Sequence, residues 1–234
     1  GVRFFDPHGD AVLAATEHSL QPKALYRHVI DGEPVMQTKH TANGDVAYIL
    51  NSRQEPDGAA FHGRIGFEVA RGEHLYGLGQ HEDGLFDYRG RREYLYQTNM
   101  KITIPFLISS RNYGLLIDTE TAMVFDEHDG IMTFDLETVN ELSYYVIIGD
   151  GFDAIIRTLR MLTGRAPMLP RWAFGYVQSK ERYRSAAELI DTAETFRSLN
   201  IPVDCIVQDW YTWKTGLWGE KRPDPKRYPN VKAL

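Results

Sequence analysis

Asp209 closes an apolar run, Val203 to Val207 with Gln208 between, and is followed by Trp210, Tyr211 and Trp213. Cys205, Ile206 and Val207 show no polar alternation, which is the pattern of a strand buried on both faces in a parallel sheet. That places Asp209 at the C-terminal tip of a strand, where parallel α/β folds bind their ligands. Aromatic rings cover apolar C–H faces and a carboxylate accepts hydrogen bonds from hydroxyls, so the combination suits a sugar ring. A solvated loop acid or a helix cap is the alternative reading of Asp209.

Other chemical signatures fail. Gly77-Leu78-Gly79-Gln80 lacks the third glycine of a dinucleotide loop, and no second histidine follows His81-Glu82 at helical spacing. No serine stands in a Gly-x-Ser-x-Gly elbow. The sequence therefore predicts neither a metal nor a cofactor. The net charge of −6 with no basic stripe argues against nucleic acid as a partner. No apolar run approaches the roughly 20 residues that span a bilayer. The single cysteine, Cys205, cannot form an internal disulfide and reads as a small core residue.

The elements that must position these residues change character along the chain. Through residue 149 short apolar or alternating runs recur, among them Val46–Leu50, Ile65–Val69, Ile104–Ile108 and Tyr144–Ile148, separated by turn signals such as Asp129-Gly130. That is the pattern of a β-sandwich. From Asp150, the spacing of Phe152, Ile155, Ile156, Leu159 and Leu162 predicts a helix that Gly164 stops. The proline-bearing segment 166–170 reads as a linker, and Trp172–Val177 as a strand. Ser185 and Glu188 form a capping box for a helix burying Leu189, Ala193 and Phe196, ended by Asn200 and Pro202. Strand, helix and strand in this order make the start of a repeated β/α arrangement. Two parallel strands and one helix cannot cover their own faces, so further strands are expected beyond residue 234.

Several blocks together resemble glycoside hydrolase family 31. They are Tyr76-Gly77-Leu78-Gly79-Gln80, Asp87-Tyr88-Arg89-Gly90, Ile104-Pro105-Phe106 with Arg111-Asn112-Tyr113-Gly114-Leu115, Leu169–Gly175, Gln208-Asp209-Trp210 and Asp224–Asn230. Tyr183 and the Gln208-Asp209-Trp210-Tyr211 run look most like the family's bacterial α-xylosidase branch. The resemblance implies a multi-domain protein of β plus α/β class. Residues 1–149 would be part of an N-terminal β-sandwich, 150–170 a connecting helix and linker, and 171–234 the truncated start of a (β/α)8 TIM barrel. It implies a retaining α-glycosidase acting on terminal α-linked xylose or glucose of an oligosaccharide, with α-glucosidase or a non-catalytic carbohydrate-binding sandwich as alternatives.

In this family both catalytic carboxylates are aspartates at the ends of the fourth and sixth barrel strands. Neither is expected in this chain, which should be inactive by itself. The roles carried over are binding roles. Asp209 would hydrogen-bond hydroxyls of the −1 sugar. Trp210 and Tyr211 would shape the −1 and +1 subsites, with core packing as the alternative. Gln178 would contact ligand or anchor its loop, and Tyr183 would wall the pocket. Asn99, in Tyr96-Gln97-Thr98-Asn99, stands where an acid from the β-domain is expected to reach the sugar. Asp87 reads as structural, paired with Arg89 or Arg92. A homo-oligomer is possible for the full-length parent.

Overall fold

The structure is a computed structural model that describes residues 1–41, 44–217 and 219–233. Fourteen strands dominate the described residues. In chain order they are β1 (Arg3–Phe5), β2 (Ala11–Ile30), β3 (Met36–Thr41), β4 (Gly44–Ile49), β5 (Ser52–Glu68), β6 (Leu75–Gln80) and β7 (Arg92–Leu95). Then follow β8 (Ile102–Ser109), β9 (Tyr113–Ile117), β10 (Met123–His128), β11 (Ile131–Val139) and β12 (Tyr144–Ile148). Helix α1 (Phe152–Thr163), β13 (Val177–Ser179), α2 (Ala186–Ser198) and β14 (Cys205–Val207) complete the order. The chain divides into two units, residues 1–27 with 54–165 and residues 28–53 with 166–234.

The first unit holds a six-stranded sheet, β1-β2-β5-β11-β10-β7, and a four-stranded antiparallel sheet, β12-β9-β8-β6. Alternation selects their buried faces: Met123, Phe125 and Glu127 of β10 point inward while Val124 and Asp126 do not. Phe67, Phe125, Phe134 and Leu136 from the larger sheet share one core with Leu75, Leu107, Tyr113 and Leu115 from the smaller. The Asp129-Gly130 turn signal joins β10 to β11, with both residues at positive φ (51° and 77°) and His128 opposite Ile131.

Gly77-Leu78-Gly79 proves to be a bulge rather than a phosphate loop. The β6–β8 register shifts between Gly77 and Gly79. Both glycines have positive φ, and a Cβ on Gly77 would meet the Phe106 carbonyl at 2.6 Å while one on Gly79 would overlap that of Ile102. Close approach of two strands, not a ligand, explains this spacing.

Three buried carboxylates brace the first unit. Glu73 Oε1 accepts from Ser109 Oγ and Tyr113 Oη, each at 2.5 Å, and its Oε2 accepts from Ala70 N–H at 2.7 Å. Burial, then the Glu73 charge, pushes the Tyr113 phenol far above its ordinary range. Glu127 accepts from the N–H groups of Gly90 and Gly130 and faces Arg89 Nε at 3.4 Å. Glu93 takes Lys101 at 2.5 Å. Asp87 does not pair with an arginine side chain: His74 Nδ1 lies 2.6 Å from its Oδ2, and the N–H groups of Leu75 and Arg89 donate to Oδ1. The Arg89 guanidinium is drawn instead to the Ala70 carbonyl at 2.7 Å, and Arg92 to Asp126 at 3.3 Å.

α1 keeps the expected period but buries less of its face. Ile155 is fully buried and Leu159 packs beside it, against Phe106, Ile108 and Ile147, whereas Phe152, Ile156 and Leu162 stay exposed.

In the second unit, β3 and β4 form an antiparallel pair, and β13 pairs in parallel with β14 through Val177–Cys205, Gln178–Ile206 and Ser179–Val207. The expected strand at Trp172–Val177 is shorter and later than the sequence suggests. Pro170, at φ −63°, starts a 3-10 turn over Arg171–Phe174, closed by Ala173 N–H to the Pro170 carbonyl (3.0 Å) and Gly175 N–H to that of Trp172 (3.1 Å). Cys205, Ile206 and Val207 are half-buried. Leu189, Ala193 and Phe196 of α2 are also half-buried. The helix is capped as expected at Ser185, whose Oγ accepts from Glu188 N–H at 3.2 Å. The return bond differs: Glu188 accepts from Arg184 N–H at 2.5 Å and from Lys180 Nζ at 2.8 Å. The Lys180 bond, then that of Arg184, holds the Glu188 carboxyl below its ordinary range. Among the described residues no helix is long and apolar enough to cross a membrane.

Candidate functional site

The segments that leave β13 and β14 are stitched together at the tips of the parallel pair. Trp210 N–H donates to the Glu181 carbonyl at 3.1 Å. Arg182 then lies over both rings that follow Asp209, with its guanidinium carbon 5.4 Å from the Trp210 centroid and 5.2 Å from that of Tyr211. Trp210, Tyr211 and Trp213 form one cluster, with centroids 5.4 Å (Trp210–Tyr211), 6.1 Å (Trp210–Trp213) and 5.6 Å (Tyr211–Trp213) apart. Tyr211 takes a positive φ of 57°, the sharp turn that folds this segment on itself.

The later Asp224–Asn230 block closes the cluster from below. Arg227 donates to the carbonyls of Tyr211 (Nη1, 3.0 Å) and Trp213, and stands 5.1 Å from the Tyr211 ring. Asp224 holds that arginine at 3.3 Å, and Asp224 N–H donates to the Thr212 carbonyl at 2.8 Å. The Lys226 N–H bond is the largest influence on the Asp224 carboxyl and, with Arg227, keeps it below its ordinary range against the opposing effect of burial. Tyr228 Oη donates to the Tyr183 carbonyl at 2.5 Å, and Ala186 N–H to that of Arg227 at 3.0 Å, so this block also fixes the entry to α2.

Asp209 itself is exposed, and among the described residues its carboxylate has no hydrogen-bond or ion-pair partner. It stands two residues past β14, beside the aromatic cluster. Trp210 and Tyr211 are half-buried. Gln178, the central residue of β13, is half-buried and accepts from Tyr176 Oη at 2.6 Å. Tyr183 is buried, with Lys180 Nζ 4.5 Å from its ring centroid. Among the described residues its hydroxyl and the buried Gln208 Oε1 have no hydrogen-bond partner. Asn99 belongs to the first unit, exposed on the turn between β7 and β8, where Gln97 Nε2 donates to the carbonyls of Thr98 (3.2 Å) and Lys101.

Arg182 and Arg227 were not singled out in the sequence, although each sits directly before a tyrosine. No local signal marks their role, because Trp210 and Tyr211, the rings they cover, lie on another segment of the chain. Together they pack against the rings that follow Asp209. The arrangement offers an exposed carboxylate acceptor beside fixed aromatic surface, which is what a polyhydroxylated ring requires.

Residues 166–234 match the family model described as the glycosyl hydrolases family 31 TIM-barrel domain. The chain is 40% identical over 177 residues to an α-xylosidase of Saccharolobus solfataricus, covering 72% of this chain and 24% of that protein. The chain belongs to glycoside hydrolase family 31. It is 30% identical to an uncharacterized family 31 glucosidase of Pseudescherichia vulneris, covering 76% of this chain and 33% of that one. Among solved structures it resembles a family 31 α-xylosidase from a soil metagenome complexed with xylose, at a TM-score of 0.67 and 30% identity over 74% of this chain and 25% of that one. This family 31 chain spans 24% and 33% of the length of these two curated relatives.

Proposed function

We propose that this chain supplies substrate-positioning residues to a retaining α-glycosidase that removes terminal α-linked xylose from oligosaccharides. The observation that carries the reading is the unpartnered Asp209 carboxylate at the tip of β14, beside rings held by Arg182 and Arg227. In this reading β13, α2 and β14 are the first β/α units of a (β/α)8 barrel, and the two sheets of the first unit form a β-sandwich. Residues 1–149, 150–170 and 171–234 remain the proposed sandwich, connector and barrel start.

The chemistry follows from the carboxylate geometry of retaining enzymes. Two carboxyl groups about 5–5.5 Å apart act on the anomeric carbon, one forming a covalent glycosyl bond and the other protonating the leaving oxygen and then activating water. In this proposal that catalytic pair lies outside residues 1–234. Asp209 fixes the −1 sugar through its hydroxyls, while Trp210 and Tyr211 provide bulk that excludes an exocyclic hydroxymethyl group. Gln178 and Tyr183 support the same wall.

The similarity to a family 31 glucosidase keeps α-glucosidase as the second reading. Initial rates of the enzyme carrying this chain on p-nitrophenyl α-xyloside and α-glucoside decide between them. Faster turnover of the xyloside supports the first reading, and faster turnover of the glucoside supports the second.

A further inference from the structure

We propose that the outer face of the six-stranded sheet in the first unit carries a binding groove for a neutral oligosaccharide, walled by Tyr94 and Tyr96. It stands on the residues of that face and not on the Asp209 reading.

Strand register builds the groove. Tyr94 lies opposite Val124, Val124 opposite Asp135, and Asp135 opposite Arg64, a row across β7, β10, β11 and β5. The neighbouring row on the inner face is Leu95, Met123 and Leu136, all buried, so the Tyr94 row must point away from the core. Tyr96 and Glu137 continue the outer face one pleat further on. The result is a cavity of about 260 Å³ with tyrosines on one side, the short side chains of Ala122 and Val124 as its floor, and His62, Asp135 and Glu137 opposite.

The two tyrosines remain half exposed, at 51% and 48%, although their rings contact one another at 6.3 Å and 84°. Perpendicular rings make a corner, which grips a pyranose by its apolar face and its edge at once. Arg92 backs Tyr94 with its guanidinium 5.6 Å from the ring centroid. Tyrosine stiffness is high and the entropy lost on binding correspondingly low.

The charges across the groove select an uncharged ligand. Asp135 is met by Arg64 at 3.5 Å and His62 at 4.0 Å, and Glu137 by Lys23 at 3.5 Å. Arg64 is also tied to Glu17 at 3.2 Å. Each carboxylate thus has a counter-charge, which removes any strong pull on an ion, yet keeps lone pairs free to accept hydroxyl hydrogen bonds. Aromatic corner, apolar floor and paired acids together match a polyhydroxylated ring.

The test uses the whole 234-residue chain and a xyloglucan heptasaccharide as probe, with maltotriose for comparison, read by saturation-transfer NMR and calorimetry. Saturation transfer to at least one probe is expected, with affinity in the millimolar range or better. Tyr94→Ala with Tyr96→Ala should weaken it about tenfold or more at an unchanged melting temperature. Wild-type affinity in the tyrosine variant, or no binding of either sugar at about 10 mM, overturns the proposal. A tyrosine variant that changes the oligomeric state in light scattering without affecting sugar assigns the face to protein contact and overturns it equally. The groove is read by binding to the tyrosine variant and the strand-tip site by turnover of p-nitrophenyl glycosides, so failure of one is distinguishable from failure of the other.

Discussion

Gly175 tests how tightly the parallel strand pair is held. Its backbone, at φ −90° and ψ −163°, is ordinary extended structure that alanine adopts without strain. The obstacle is space: an added Cβ would overlap Cγ and Oδ2 of Asp204 and lie 3.0 Å from its Cβ. Asp204 cannot swing aside freely, because Oδ2 accepts from Tyr176 N–H at 3.2 Å while Asp204 N–H returns to the Tyr176 carbonyl at 3.0 Å. Gly175→Ala must therefore break at least the first bond, costing about 1 kcal/mol. With the remaining overpacking the total reaches about 1–3 kcal/mol in urea denaturation. Asp204→Ala alone should cost about 1 kcal/mol. In the double variant the clashing carboxylate is gone, so the loss should fall short of the sum by about 1–3 kcal/mol. Additivity within about 0.3–0.5 kcal/mol would refute the steric argument.

The first unit gives three further expectations. Burial pushes the Asp87 carboxyl up, but the His74 bond and the N–H groups of Leu75 and Arg89 outweigh it and leave its pKa below the ordinary value. A lowered carboxylate pKa contributes stability that is present above the unfolded value of about 3.9 and is lost as pH falls through the folded one, so Asp87→Asn should flatten acid unfolding below about pH 4. Tyr113→Phe removes a 2.5 Å donor from the buried Glu73 carboxylate and should cost about 1.5–3 kcal/mol by chemical denaturation, with a smaller loss for Ser109→Ala only if the tyrosine bond dominates. Phenolate absorbance should show one tyrosine that resists ionisation far beyond the others, and the Tyr113→Phe variant should lack it. In the second unit, Arg182→Ala uncovers Trp210 and Tyr211 and should shift tryptophan emission and lower stability by about 0.5–2 kcal/mol.

Period and punctuation made the strands legible: Tyr144–Ile148 forms β12 with the bounds its apolar run suggests, and Asp129-Gly130 is a two-residue hairpin turn. The helix caps were legible for the same local reason, since Ser185 and Glu188 lie within one turn. What sequence spacing could not show is long-range geometry. The Gly77-Leu78-Gly79 bulge depends on β8 lying alongside, and the Asp87–His74 pair joins residues that only the β6 region brings together. Trp172–Phe174 carries strand-forming residues, yet the fixed φ of Pro170 favours a 3-10 turn there. At the candidate site the position of Asp209 at a strand tip was readable from the apolar run. The roles of Arg182 and Arg227 were not, because each acts across a loop on rings distant in sequence.

The most direct test of the account is the steady-state kinetics of Asp209→Asn in the enzyme that carries this chain, with p-nitrophenyl α-xyloside as substrate. A carboxylate that accepts hydroxyls of the −1 sugar contributes about 1.5–3 kcal/mol per bond, so kcat/KM should fall about 10- to 150-fold at unchanged thermal stability. A kcat/KM within about twofold of the wild type would show that Asp209 does not touch the sugar, and the strand-tip site would lose its central residue.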